Sequence, residues 1–211
     1  MAVFVTQVEA GPVALITVGA FLLLIAVMGR RIASMSLVDG GLQWVEQRVE
    51  REMNEAETPD RALEVATAAT TVAPEVQRNE HISTMSHHAY EQVVEERLVS
   101  AFGDAVAHAG NGRGHDFVVT RGGKKVGVEV FFGRPGKPSD PSRMVDKVLR
   151  AFATTPDLDA LVYVSTALPP ADHRMAEPVD LAQQQGKALK YVRWTDDGDT
   201  PTLRQVIEEL L

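Results

Sequence analysis

Asp116 and Glu129 stand at the two ends of a short stretch, GHDFVVTRGGKKVGVEVFFG, whose pattern predicts a β-hairpin. The runs 117–120 and 126–132 are rich in Val and Phe, side chains that suit a pleated, half-buried surface. Between them lies Arg121-Gly122-Gly123-Lys124. A two-residue Gly-Gly loop fits the positive φ that both central positions of a type I′ turn require. With Arg121 paired to Lys124, counting outward sets Asp116 opposite Glu129 on one face, with Cβ atoms about 5 Å apart. Two carboxylates held that close repel each other, and a divalent cation between them turns the repulsion into attraction. The hairpin therefore reads as half of a metal site.

The composition limits the chemistry further. The 211-residue chain contains no cysteine, which excludes disulfides, thiolate metal sites and a cysteine nucleophile. Its net charge of −8 is unevenly spread. Residues 1–112 carry 7 Lys and Arg against 15 Asp and Glu; residues 113–193 carry 13 against 9; residues 194–211 carry 1 against 5. The basic excess coincides with the hairpin and the helix after it, through residues such as Arg113, Lys124, Lys125, Arg143, Lys147 and Arg150. Such local asymmetry points to a polyanion-binding face.

The elements that must position these groups follow from periodicity. Residues 12–29, PVALITVGAFLLLIAVMG, carry no charged side chain and are long enough to span a bilayer as a helix. Residues 1–11 hold only Glu9 as a charge, unlike the basic start of a cleaved signal, and Arg30-Arg31 follow the span. The positive-inside rule then predicts a single-pass anchor in the cytoplasmic membrane, with 1–11 outside and the bulk of the chain in the cytoplasm. Leu42, Val45, Val49 and Met53 predict an amphipathic helix over 37–56. Thr58-Pro59-Asp60 predicts the start of a second helix running to about 70. Together 37–70 offer a surface for self-association, and 72–86 read as linker, completing a helical segment over 30–85. A globular domain over 86–211 is expected, with Ser86 as the first N-cap.

Within that domain Tyr90, Val93, Val94, Leu98 and Phe102 form a helical stripe ended by Gly103. A short strand at 105–108, the glycine-rich turn 110–114 and the hairpin come next. Ser142 then caps a helix through Phe152, 160–165 is a buried strand, and 171–186 is a helix interrupted at Pro178. A strand at 189–194 and a helix at 203–211 close the chain. The expected class is α/β, a mixed sheet flanked by helices. Trp44 and Trp194 read as packing residues, and the adjacent His87 and His88 lack a spacing that suits zinc.

Three pieces of 86–211 resemble the PD-(D/E)XK superfamily, the restriction-endonuclease-like fold, and within it Mrr-type endonucleases. YEQVVEERLVSAFG resembles the family's opening helix, HDF its strand with the first metal-binding acid, and VGVEVFF the strand that usually reads VEVK. The resemblance implies that Glu91, Asp116 and Glu129 are metal-binding acids for Mg²⁺, and that DNA is the partner. It also implies a catalytic lysine two residues after Glu129, where this chain has Phe131. Lys147, on the helix expected to pack beside the hairpin, is the leading candidate to replace it, and Lys137 the next. Lys125 faces the same side as Glu129 but lies four residues away, about 13 Å at strand rise. The expectation is a membrane-anchored domain that binds DNA and, if active, is a Mg²⁺-dependent endonuclease with Asp116, Glu129 and Lys147 as catalytic groups. The alternative is a catalytically inactive nuclease-fold scaffold at the membrane.

The anchor has a direct test. Deleting residues 1–31 is expected to leave a folded, detergent-independent protein by circular dichroism and gel filtration. Unfolding of the remainder would make 12–29 core instead.

Overall fold

The computed structural model describes residues 41–110 and 112–211. The expected span at 12–29 lies outside them. Among the described residues no helix is long and apolar enough to cross a membrane. The elements in chain order are α1 (Gly41–Asn54), α2 (Pro59–Val72), α3 (Glu80–Phe102), β1 (Val106–His108), β2 (Phe117–Arg121), β3 (Lys124–Phe131), α4 (Pro141–Thr154), β4 (Ala160–Ser165), α5 (Asp172–Gln184), β5 (Ala188–Arg193) and α6 (Thr200–Leu210). The five strands form one sheet in the order β1-β2-β3-β4-β5. β2 runs antiparallel to both of its neighbours, β1 and β3, while β3, β4 and β5 run parallel. The protein is thus a mixed α/β fold with helices on its sheet, as the alternation of strand and helix patterns required.

The hairpin register is the one that the Gly-Gly turn dictates. Arg121 pairs with Lys124 and Phe117 with Val128, and Gly122 and Gly123 have φ of 62° and 85°. Alternation along β3 then divides the sheet. Val126, Val128 and Val130 point to one face and are fully buried there. That face meets α3 and α6 through Tyr90, which lies 5.9 Å from the Phe132 ring and 5.8 Å from that of Trp194. The Tyr90 hydroxyl donates to the Trp194 carbonyl at 2.8 Å, and the Trp194 indole N–H donates to the Thr200 hydroxyl at 3.0 Å. The other face carries Gly127, Glu129 and Phe131. It is covered by α4 and α5 over a core of Met144, Val148, Phe152, Leu161, Tyr163 and Leu189. β4 is buried on both sides, which is why ALVYVS is apolar without alternation.

Several boundaries differ from the sequence expectation. The segment 72–86 is not a linker: Pro74–Arg78 is a 3₁₀ turn, and α3 begins at Glu80. Asn79 is the cap, accepting from the His81 and Ile82 N–H groups, so Ser86 is not an N-cap. Ser86 lies inside the helix, buried, and donates to the Ile82 carbonyl at 2.7 Å. That polar residue on the buried side breaks the apolar period and hides the helix start. Asp140, not Ser142, caps α4. Helix α5 runs through Pro178 without interruption, and Pro178 is buried. Trp194 is a core residue, whereas Trp44 is 49% exposed.

The compact unit extends from Arg48 to Leu211. It includes α2, whose Leu63, Ala66 and Thr70 are buried. Arg97 on α3 joins distant segments, reaching Asp60 at 2.7 Å and Asp197 at 2.6 Å.

One close approach fixes helix α4. A Cβ on Gly114 would stand 2.6 Å from the Ala151 amide nitrogen and 2.9 Å from the Lys147 carbonyl oxygen. The Thr154 hydroxyl donates to the Arg113 carbonyl at 2.7 Å beside it. Gly112 has a similar φ of 81° but open space around it. Gly112→Ala is expected to cost about 1 kcal/mol of conformational strain, and Gly114→Ala clearly more, because its methyl meets backbone. Urea unfolding of the two variants measures the difference.

Candidate functional site

The site gathers at the C-terminal half of β3. Glu129 is 1% exposed, pairs in register with Tyr163 of β4, and faces the α4 side of the sheet. Lys147 of α4 reaches it: its Nζ forms an ion pair with Glu129 Oε1, while the lysine side chain remains 39% exposed. Glu129 Oε2 is buried and accepts no hydrogen bond. The resemblance made Lys147 the leading candidate because its helix was expected to pack beside the hairpin; its contact with Glu129 depends on how closely α4 approaches β3.

Asp116 lies just before β2, where the chain leaves the ladder. Its N–H donates to the Val128 carbonyl at 2.8 Å. Its Oδ2 accepts from the Val130 N–H at 2.7 Å, a strand donor left free where β2 has ended. Oδ1 has no hydrogen bond among the described residues. Asp116 and Glu129 are electrostatically coupled across the strand pair. Burial and then the Asp116 charge push the Glu129 carboxyl up to about 8, while Lys147 pulls it down and Glu91 adds a smaller upward push.

Glu91, on α3, approaches from the opposite layer. Its carboxylate lies 3.8 Å from the His88 ring, and its charge is felt at both Glu129 and His87. Lys125 is committed elsewhere, paired with Asp157, and Lys137 stands exposed in the loop before α4. His115 is buried against Gly127, with Nδ1 3.3 Å from the Arg113 carbonyl and Nε2 unpartnered. Burial lowers its pKa.

Three residues near the site are not assigned to it by the sequence. His87 accepts the Phe132 N–H through Nδ1 at 3.4 Å, and its ring lies 6.3 Å from that of Phe131. Burial lowers its pKa, against the opposing pull of Asp116 and Glu91. Arg143 places its guanidinium 5.2 Å from the Phe131 ring centre. Tyr163 lies 6.2 Å from Phe131 and is stacked 5.8 Å from Tyr191. The available signal was the helical period: His87 precedes Glu91 by four residues, and Arg143 precedes Lys147 by four.

The donor set tests whether Mg²⁺ fits. Among the described residues no group of three or more His, Asp and Glu is arranged to hold a metal ion. Mg²⁺, however, keeps several waters and takes one or two carboxylates plus substrate phosphates. Asp116 and Glu129 supply two carboxylates, with Glu129 Oε2 an orphaned buried acceptor. A two-carboxylate site is therefore the arrangement that these residues fit. Comparison with known proteins finds no family model, no curated protein and no solved structure that matches the chain.

The raised pKa fixes a sign. A carboxyl near 4.5 when unfolded and near 8 when folded holds its proton better in the folded state. Its contribution to stability is full below about 4.5 and is lost as pH rises through about 8. Glu129→Gln removes this loss. Its stability relative to the parent is expected to improve by at least about 1 kcal/mol between pH 5 and pH 8.5, measured by chemical unfolding.

Proposed function

We propose that the domain binds DNA and hydrolyses its phosphodiester bonds with Mg²⁺, in the manner of a PD-(D/E)XK nuclease whose lysine has moved from β3 to α4. The observation that carries this reading is the contact between Lys147 and the buried Glu129, whose carboxyl also feels the charge of Asp116. An ammonium group and two carboxylates at one strand end are the parts that such chemistry uses, and here the ammonium comes from the helix because Phe131 occupies the strand position. The basic excess of residues 113–193 suits a polyanionic substrate.

Asp116 and Glu129 would hold Mg²⁺, with Glu91 assisting. The bound ion would supply Lewis-acid polarisation of a phosphoryl oxygen and acidify a water. Lys147 orients the attacking water and offsets the charge that develops on the phosphate. The Val130 N–H holds the Asp116 carboxylate in place, so that it is positioned before substrate arrives. Phe131 and Tyr163 keep the inner wall apolar. Residues 12–29 would tether this domain to the cytoplasmic face of the membrane, and 37–70 would mediate self-association.

The second reading is a nuclease-fold module that binds without cutting. Phe131 at the strand position of the lysine favours it.

Plasmid cleavage separates the two. The first reading expects nicking with Mg²⁺ and none with EDTA, a rate at least about 100-fold lower in Lys147→Ala, and none in Asp116→Ala or Glu129→Ala. Mg²⁺ binding would displace the Glu129 proton to solvent, so Mg²⁺ affinity should rise with pH. DNA binding without cleavage, with cleavage appearing only in Phe131→Lys, would establish the second reading. Cleavage unaffected by Asp116→Ala and Glu129→Ala would refute both.

A further inference from the structure

The position that breaks the nuclease-like pattern has its own geometry. Phe131 and Glu129 point to the same side of β3, and α4 presents Arg143 and Lys147 to them. The helix pair is one turn apart, about 6 Å along the axis, and the strand pair is two residues apart, about 7 Å. The two cations therefore meet the two strand residues in parallel: Lys147 on the carboxylate, Arg143 on the ring.

Arg143 differs from several other cations among the described residues in holding no carboxylate. Arg61, Arg97, Arg204 and Lys125 each hold a carboxylate. Arg143 has no hydrogen bond or ion pair among the described residues, and it is exposed. Asp140, which caps the helix, feels the Arg143 charge, but its Oδ1 is engaged by the Ser142 N–H at 3.0 Å and the Ser142 hydroxyl at 2.8 Å. A ring face restrains a guanidinium without using any of its five N–H donors. Arg143 is thus oriented yet unsatisfied, the condition of a group built to meet an outside anion.

We propose that Arg143, seated on the Phe131 ring, grips a backbone phosphate of the bound nucleic-acid strand next to the phosphate engaged by Lys147. Phe131 is its positioning residue, and this is the use the chain makes of the lost lysine position. The inference rests on the nucleic-acid reading given above.

The test is equilibrium binding of a fluorescent 16-base-pair DNA duplex to the full-length chain in detergent, without divalent metal, as a function of salt. Arg143→Ala is expected to weaken binding about fivefold at 0.1 M salt and to reduce the slope of log K against log salt by about 0.9, the loss of one phosphate contact. Arg143→Lys keeps the slope while losing part of the affinity. Phe131→Leu weakens binding in the parent and adds nothing in the Arg143→Ala background. Lys125→Ala, which removes the partner of Asp157, leaves the slope unchanged. An unchanged slope in Arg143→Ala, while Lys147→Ala loses about 0.9, overturns the role of Arg143 alone. A Phe131→Leu effect that persists without Arg143 overturns the positioning role. No binding by the parent chain overturns this proposal together with the DNA reading on which it rests.

Discussion

A carboxylate buried on a central strand sets the terms for everything around it. Glu129 lies between β2 and β4 with a helix above it, where solvent cannot hydrate its charge. Unpaired, such a group would be strongly destabilising or would keep its proton. Lys147 supplies the counter-charge from α4, and its half-exposed ammonium retains contact with water. The pair therefore exists only if α4 sits at one height and one rotation over β3. Replacement of a buried pair by apolar side chains often leaves a fold as stable or more so. Stability alone thus does not account for a glutamate at this buried position on β3.

The local backbone is arranged to deliver that helix. Gly114 lets the loop before β2 lie directly against the α4 backbone at Lys147 and Ala151. Thr154 ties the end of the helix to the same loop. The loop then continues into His115, packed on Gly127, and Asp116, which saturates the Val130 N–H. One run of four residues, 113–116, thereby connects the helix that carries the cations to the strand that carries the acid. Gly127 leaves room for Leu158 and Leu161, which a Cβ there would meet at 3.0 and 3.2 Å, whereas His115 would sit at ordinary contact.

The opposite layer has a different task. Tyr90, Phe132 and Trp194 lock α3 to the ends of β3 and β5, with the Tyr90 hydroxyl satisfied by a backbone carbonyl. This anchoring brings His87 and Glu91, three residues before Tyr90 and one after it, to the rim where β3 ends. Arg97, two turns further along α3, holds α2 and the 3₁₀ turn before α6 through Asp60 and Asp197. Helix α3 thus serves as the spine between the helical segment and the sheet.

Local chemistry made the hairpin legible in the sequence. A Gly-Gly turn permits one register, and alternation then assigns Phe117, Val126, Val128 and Val130 to one side and Glu129 to the other. The apolar run of β4 and the stripe of α3 were readable for the same reason, since periodicity records which side is buried. The start of α3 was not, because Ser86 satisfies its hydroxyl within the helix and so is buried without being apolar. Nor could the sequence decide which lysine meets Glu129 or that Arg143 covers Phe131. Those contacts depend on the height at which α4 crosses β3, and that height is set by the Gly114 approach, by α5 and by the shared core. Spacing within one element is fixed by helix and strand geometry; spacing between elements is fixed only when their side chains pack.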